Sequence, residues 1–341
     1  MDPALKNPAI TVFMPAYNAE RHIGAAIESI LRQSFRDFEL LIINDGSTDG
    51  TAAVISSFND PRIRLINNPV NSGLVAVRNQ GMREARGKYI ALLDADDIAL
   101  PDRLAIEKQF LDNHAAFALV GSSVALIDAD GKRTGVVWKN YFTPEELPVA
   151  LLFGNRIAQS SVMLRREMLP ENPYREGFAP TEDYDLWLRL SDKHSLAVLP
   201  DIITLYRAHP GGQTTLARDK QQKTVEVILR ERLAAVGLSP SPEELFLHRK
   251  HIPRQPADVM KFLSDKAAWL KRVREILDRT GRYDKTAAAR AVDKIWYESC
   301  GANAGRGMAV WRTFRRSGLH SAGSVSLWRQ AKLFLRCLAR H

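Results

Sequence analysis

A chain of 341 residues exceeds the usual single-domain size, and 45% apolar with 26% charged residues is ordinary globular composition, which excludes wholesale disorder. The start has no basic n-region or apolar h-region, the longest apolar stretches are about half a bilayer span, and the only cysteines are Cys300 and Cys337. A secretory signal, a membrane span, a disulfide framework and a zinc finger are therefore not expected, and the reading is a cytoplasmic chain. Charge is divided unevenly: 26 Lys and Arg stand against 12 Asp and Glu from position 215 onward, and 22 against 27 before it. So sharp a split implies two functional surfaces, the basic one facing nucleic acid, an anionic membrane or an acidic partner, or forming a solvated helical face.

Apolar runs and helical patterns alternate through the first 115 residues. AITVFMP is a predicted strand, and 19–33 carries Ile23, Ala26, Ile27, Ile30 and Leu31 at helical spacing. FELLIIND, RIRLINN and KYIALLD are further strands, with helices predicted over 48–58, 74–85 and from Pro101. This order implies βαβ units and a mainly parallel sheet with helices on both faces. Beyond it, DADGKRTG (128–135) reads as a hairpin turn, followed by a helix near 143–153, a strand SSVML, a helix from Glu182 and a strand ITLYRAH. After 215 nearly everything reads helical, with breaks at 237–242, 252–256 and 280–282.

In open parallel sheets, ligands bind beyond the carboxyl ends of the strands. Three of the first four strands end in suitable polar segments: PAYN, NDGSTDG and DADD. Neither G-x-G-x-x-G after the first strand nor G-x-x-x-x-G-K-[ST] is present, so a bound phosphate would call on a metal. Asp94, Asp96 and Asp97 raise each other's pKa unless something positive lies between them. Asp94 and Asp96 at a strand end suit all-oxygen ligation of Mg²⁺ or Mn²⁺, the alternative being an acidic turn capping the next helix. A calcium loop is a poor fit, because position 12 would fall on Ser56 or Ala105. NDGSTDGT reads equally as an Asp-Gly turn with Ser47 or Thr48 as a helix N-cap. In TEDYDLWLRL, Thr181 is a candidate cap, and Asp183 shares a face with Trp187 and Leu190. That spacing points Asp183 inward, where the helix terminus is expected to keep it ionised.

Five segments in order, PAYN (15–18), DGSTDGT (45–51), NSGLVAVRNQGMREARGKYIALLDADD (71–97), TEDYDLWLRL (181–190) and YRAHPGGQTT (206–215), resemble the family 2 glycosyltransferases over roughly residues 8–215. The resemblance implies a GT-A nucleotide-diphospho-sugar transferase fold over 1–215, divided into a nucleotide-binding half (8–115) and an acceptor half (116–215), with a basic, mostly helical C-terminal region over 216–341. It assigns the nucleoside pocket to Pro15, Ala16, Tyr17 and Asn18, the uracil to Asp45, the ribose side to Asp94 with Ala95, and a bridging Mn²⁺ or Mg²⁺ to Asp96. The same resemblance implies that Arg78 lies near the nucleotide, His209 near the metal or diphosphate, and that Asp183 is the catalytic base, with Glu182 and Trp187 on the acceptor side or supporting it. Gly211 and Gly212 suggest a loop that closes over the donor. The expected activity is inverting transfer of a single sugar, because the Q-x-x-R-W motif of processive synthases is missing. The donor is expected to be UDP-linked and the acceptor a cell-surface glycan or lipid-linked hydroxyl. A nucleotide-sugar-binding module without catalysis is the alternative, and nucleic acid is not an expected partner. The C-terminal segment SVSLWRQAKLFLRCLAR (324–340) places Leu327, Trp328, Ala331, Phe334, Leu335 and Leu338 on one side and Arg329, Lys332, Arg336 and Arg340 on the other, while Leu333 strays. It reads either as an interfacial helix at the cytoplasmic membrane face or as a terminal helix packing its apolar stripe on the domain.

Overall fold

The computed structural model describes residues 7–208, 217–320 and 323–339, without the side chain of Arg218. His209, Gly211 and Gly212 therefore lie outside the described residues. The chain forms two compact units, Met1–Tyr141 with Asn155–Thr224, and Phe142–Gly154 with Val225–His341.

Among the described residues of the first unit, a nine-stranded sheet has the order β3-β2-β1-β4-β8-β6-β9-β5, with β7 paired to β6. Strands β1 (Ile10–Ala16), β2 (Phe38–Asp45), β3 (Ile63–Asn68) and β4 (Tyr89–Leu92) are parallel. The central strands β1, β2 and β4 are mostly apolar and buried, as strands covered on both faces require, while the edge strand β3 is half-buried and carries Arg64, Asn67 and Asn68. Helices α1 (Ile23–Leu31), α2 (Thr51–Ser56) and α3 (Leu74–Glu84) are the crossovers. Beyond β4 the pairing is mixed. Strand β8 (Met163–Arg165) is antiparallel to β4 and to β6 (Phe117–Ile127), and β9 (Ser195–Arg207) runs parallel to β6. The hairpin β6–β7 (Arg133–Trp138) occupies the predicted position, and the short β5 (Ile98–Ala99) pairs antiparallel with β9.

The register brings the carboxyl ends of β1 to β4 to one edge: Ala16 pairs with Asn44, Asp45 with Asn68, and Phe13 with Leu92. Two features set that edge. A Cβ on Gly81 would lie 2.3 Å from the Phe13 ring, so only glycine lets α3 approach β1 this closely, one turn beyond Arg78. Arg103, the first residue of α4 (Arg103–Asn113), is fully buried and donates to Leu92 O at 2.9 Å and Val162 O at 3.2 Å, just before the acidic turn.

In the second unit, the helices Pro242–Arg249, Val259–Thr280 and Lys285–Ala302 start and stop on local signals. Ser241 and Glu244 form a reciprocal capping box, Gly281 ends the second helix at φ 63°, and Asp284 accepts from Ala287 N at 2.7 Å. The segment 142–154, which carries α5 (Leu147–Leu151) and was expected in the first domain, belongs here. Leu147, Val149, Ala150 and Leu151 are buried, Glu146 pairs with Lys294, and His248 Nε2–H donates to Leu152 O at 2.7 Å. Burial pushes His248 down to about 3, so it is neutral, and its Nδ1 accepts from Trp269 Nε1. No helix among the described residues is long and apolar enough to cross a membrane.

Candidate active site

The acidic turn after β4 separates its three carboxylates into different environments. Asp97 is buried and accepts from Arg207 N at 2.7 Å. Burial, then the charges of Asp96 and Asp94, push its pKa well above the usual carboxylate value. Asp94 and Asp96 remain at the surface of the turn, half-buried, with Ala95 buried between them. None of them caps α4, whose N-cap is Asp102, without a side-chain capping bond.

The positive group beside Asp94 is a protein cation brought from α3. Arg78 is buried, donates from Nη2 to Asp94 Oδ1 at 3.2 Å and from Nη1 to Glu182 Oε1, and lies over the Tyr174 ring at 5.8 Å. Although burial opposes its charge, Glu182 and then Asp94 outweigh that and hold the guanidinium fully ionised. Arg78 is thus a tie between the β4 turn and the first turn of α6 (Glu182–Ser191) rather than a helix-surface residue. Ser160 Oγ adds a third support by accepting from Asp94 N at 3.1 Å.

At the start of α6 the acids divide the same way. Glu182 is buried on Arg78, and Asp185 is buried on Arg175 and Arg189. Asp183 is half-buried; its Oδ1 accepts from Tyr184 N at 2.6 Å and its Oδ2 from Asn155 Nδ2 at 3.1 Å. Burial, then the Glu182 charge, raise its pKa to about 7 against the opposing pull of Arg78. The expectation that the helix terminus keeps Asp183 well ionised is corrected: it is poised near neutrality, the range that suits a general base. Two other expectations change. Thr181 does not cap the helix, since its hydroxyl donates to Phe178 O at 2.9 Å. Trp187 is a core residue with no exposed surface, unsuited to touching an acceptor.

The nucleoside-side segments are fastened to each other. Asn18, at φ 48°, donates its N–H to Ser47 Oγ at 3.0 Å and accepts from Thr48 N at 2.9 Å. Neither Ser47 nor Thr48 caps α2, whose N-cap is Gly50, and Asn18 positions a loop instead. Pro15 is half-buried and Ala16 buried at the end of β1, while Tyr17 is 47% exposed. Asp45 is buried and accepts from Asn68 Nδ2, Ser72 Oγ, Ser72 N and Gly73 N at 2.7–3.0 Å. Burial alone would raise its pKa, but these bonds outweigh it and hold the carboxylate below its usual value. About four lone-pair sites are all a carboxylate has, so a base N–H would have to displace one of these donors.

Sequence reasoning missed Asn155, Ser160 and an aromatic pair. Trp138, 49% exposed, lies 5.0 Å from Tyr206 between ring centroids. Tyr206 directly precedes Arg207, whose Nε donates to Asp96 O at 2.7 Å, and as strand neighbours the two side chains leave opposite faces of the sheet. Trp138 was legible only as a strand residue, because its partner is 68 positions away.

The sheet edge thus carries an acidic turn and a buried arginine tie that reaches the first turn of α6, where Asp183 has a pKa raised to about 7. Residues 11–171 match the family described as Glycosyl transferase family 2. An uncharacterized glycosyltransferase of Haemophilus influenzae is 31% identical over 237 residues, covering 66% of this chain and 73% of that one. The Escherichia coli UDP-Glc:alpha-D-GlcNAc-diphosphoundecaprenol beta-1,3-glucosyltransferase WfgD is 31% identical over 192 residues, 56% of this chain and 72% of its own. The crystal structure of S. aureus TarS 1–349 in complex with UDP-GlcNAc superposes with a TM-score of 0.54 at 17% identity, covering 94% of this chain and 92% of that one. The chain belongs to the family 2 glycosyltransferases and has the GT-A fold.

Proposed function

We propose that this glycosyltransferase moves a single sugar from a UDP-sugar to a hydroxyl of a cell-surface glycan or lipid-linked acceptor, with inversion at the anomeric carbon. The observation that carries the reading is Asp183, a half-buried carboxylate raised to about 7 on the same buried tie, Glu182–Arg78–Asp94, that reaches the acidic turn. Asp183 takes the proton of the attacking hydroxyl as the bond to the anomeric carbon forms, and the nucleoside diphosphate departs from the opposite face. A single displacement of this kind inverts configuration. Asn155 holds the base through Oδ2, and Arg78 keeps Glu182 and Asp94 in place while contributing positive charge near the donor. The segments of Pro15 to Asn18 and Ser47 to Gly50 wall the nucleoside. Asp45 fixes Ser72 and Gly73 in that wall and meets the base by exchanging one of its donors. The Trp138–Tyr206 pair supports a sugar-bearing acceptor, since ring faces bury the apolar face of a pyranose. That WfgD acts on a diphosphoundecaprenol-linked sugar and that TarS binds UDP-GlcNAc support the donor and acceptor classes.

The residues present fit a divalent cation shared with the donor. Asp96 and Asp94 supply hard oxygen ligands, and among the described residues no group of three His, Cys, Asp or Glu side chains could hold a metal. An incomplete protein donor set completed by diphosphate oxygens is the usual manner of Mg²⁺ and Mn²⁺ binding at such sites. We assign Asp96 as the protein ligand, with His209 next to it in the proposal; the ion, when bound, would neutralise charge developing on the leaving diphosphate. Asp96→Ala should abolish turnover and remove the Mn²⁺ enhancement of UDP affinity measured by calorimetry. Equal enhancement in variant and wild type would contradict the assignment.

A further inference from the structure

The sequence pattern of the last helix leaves open which side meets the rest of its unit, and the structure decides it. In Leu327–Leu338 the buried side chains are Leu333, the residue outside the apolar stripe, and Cys337. Phe334, the one stripe residue turned toward the unit, is half-buried with its ring 5.4 Å from Trp311. The rest of the stripe faces outward: Leu327 is 85% exposed, Trp328 70%, Leu335 61% and Leu338 51%. The expected alternative of an apolar stripe packed on the domain is therefore not what the fold adopts. An open groove of about 780 Å³ runs along this face, lined by Gly305, Trp328, Ala331, Leu335 and Ala339 and flanked by the cations Lys332 and Arg336.

Charge selects the partner. From Ser299 to the end of the sequence there is no Asp or Glu, against eight Lys and Arg. Arg306, Arg312, Arg315, Arg316, Lys332 and Arg336 are all exposed. Lys332 Nζ lies 5.4 Å above the Trp328 ring, so a cation sits at the margin of the apolar face, where the polar headgroups of a bilayer would be. A soluble protein partner, or a second copy of a chain this basic, would have to bring its own acidic surface to an apolar groove. An anionic lipid surface supplies both acyl chains and negative headgroups.

We propose that the exposed face of Leu327–Leu338, with the acid-free basic surface around it, docks reversibly on an anionic membrane. Trp328, Leu335 and Leu338 enter the boundary between headgroups and acyl chains, and Lys332 and Arg336 stay at headgroup depth. Such a surface binds through buried apolar area plus attraction to anionic lipid, and the second part is screened by salt. The inference rests on this helix and its surroundings and not on the transfer chemistry.

Co-sedimentation of the full chain with phosphatidylcholine vesicles, with and without phosphatidylglycerol, tests it. The expected result is binding that requires phosphatidylglycerol, weakens at high salt, and falls at least ~10-fold in Trp328→Ser/Leu335→Ser. Both side chains are exposed, so this variant should keep the wild-type melting temperature. Lys332→Glu/Arg336→Glu leaves the apolar face intact and should remove the preference for phosphatidylglycerol. Binding that ignores lipid charge, or that survives both variants, overturns the proposal. So does a wild-type chain that binds no vesicle and instead forms a dimer, by light scattering, that Trp328→Ser/Leu335→Ser dissolves.

Discussion

Asp183→Asn should lower sugar transfer by about two to four orders of magnitude, the usual worth of a positioned general base, while UDP-sugar affinity stays near wild type. The change keeps the shape and removes the basicity; its single amide oxygen can accept from Tyr184 N or from Asn155 Nδ2, not from both as the two carboxylate oxygens do. Wild-type transfer should rise with pH through about 7, as Asp183 loses its proton, and the residual activity of the variant should lack that rise. Stability should move the other way. The folded pKa is raised from 3.8 to about 7, so the unfolded chain gives up this proton first and ionisation destabilises the fold as pH climbs between those values. Below the lower value both states hold the proton and nothing is gained. Asp183→Asn escapes the penalty and should melt at least about 2 °C above wild type at pH 8, with the difference vanishing toward pH 4. A variant with most of its transfer rate would place the base elsewhere. A variant with the same melting temperature at pH 8 would contradict the strained environment of Asp183.

Arg78→Met should cost about 3–5 kcal/mol in urea denaturation, the range for stripping one partner from a buried ion pair. Glu182 has no exposed surface; burial raises its pKa, and the Arg78 charge paired with it opposes that rise. Methionine fills much of the same space but leaves Glu182 and Asp94 facing each other without a counter-charge. Adding Glu182→Gln to Arg78→Met should recover a substantial part of the loss, because the orphaned charge is then gone. A single variant that costs less than about 1 kcal/mol, or a double variant less stable than the single, would show that the tie does not hold the site together.

The parallel half of the sheet was legible because its strands carry short apolar runs that alternate with helical patterns such as Ile23, Ala26, Ile27 and Ile30. The helix expected near 143–153 is the shorter Leu147–Leu151, and that its segment belongs to the second unit was not legible, since only Lys294 and His248, far along the chain, reveal where it packs. The acids of the site were legible as a set at strand and helix ends. Their division of labour was not, because it depends on residues distant in sequence. Asp97 is buried on the backbone N–H of Arg207, Asp94 is tied through Arg78 to Glu182, and Asn155 holds Asp183. Trp187 shows the limit of helical spacing. It lies four residues from Asp183 and shares its side of α6, yet one side chain is half-buried and the other wholly enclosed. At the C-terminus the periodicity identified an apolar stripe correctly, but the helix is anchored through Leu333 and Cys337, a narrower face that ranks below the stripe by size.

The central claim, that this site transfers a sugar from a UDP-linked donor, is tested most directly by nucleotide release. The purified chain is incubated with UDP-, GDP- and dTDP-sugars, with and without Mn²⁺, in the presence of a lipid-diphosphate-linked sugar acceptor, and free nucleotide is measured. The account predicts release of UDP, stimulated by Mn²⁺ and by the acceptor, and nearly lost in Asp183→Asn. Release confined to GDP- or dTDP-sugars, or UDP release that Asp183→Asn leaves unchanged, would contradict it.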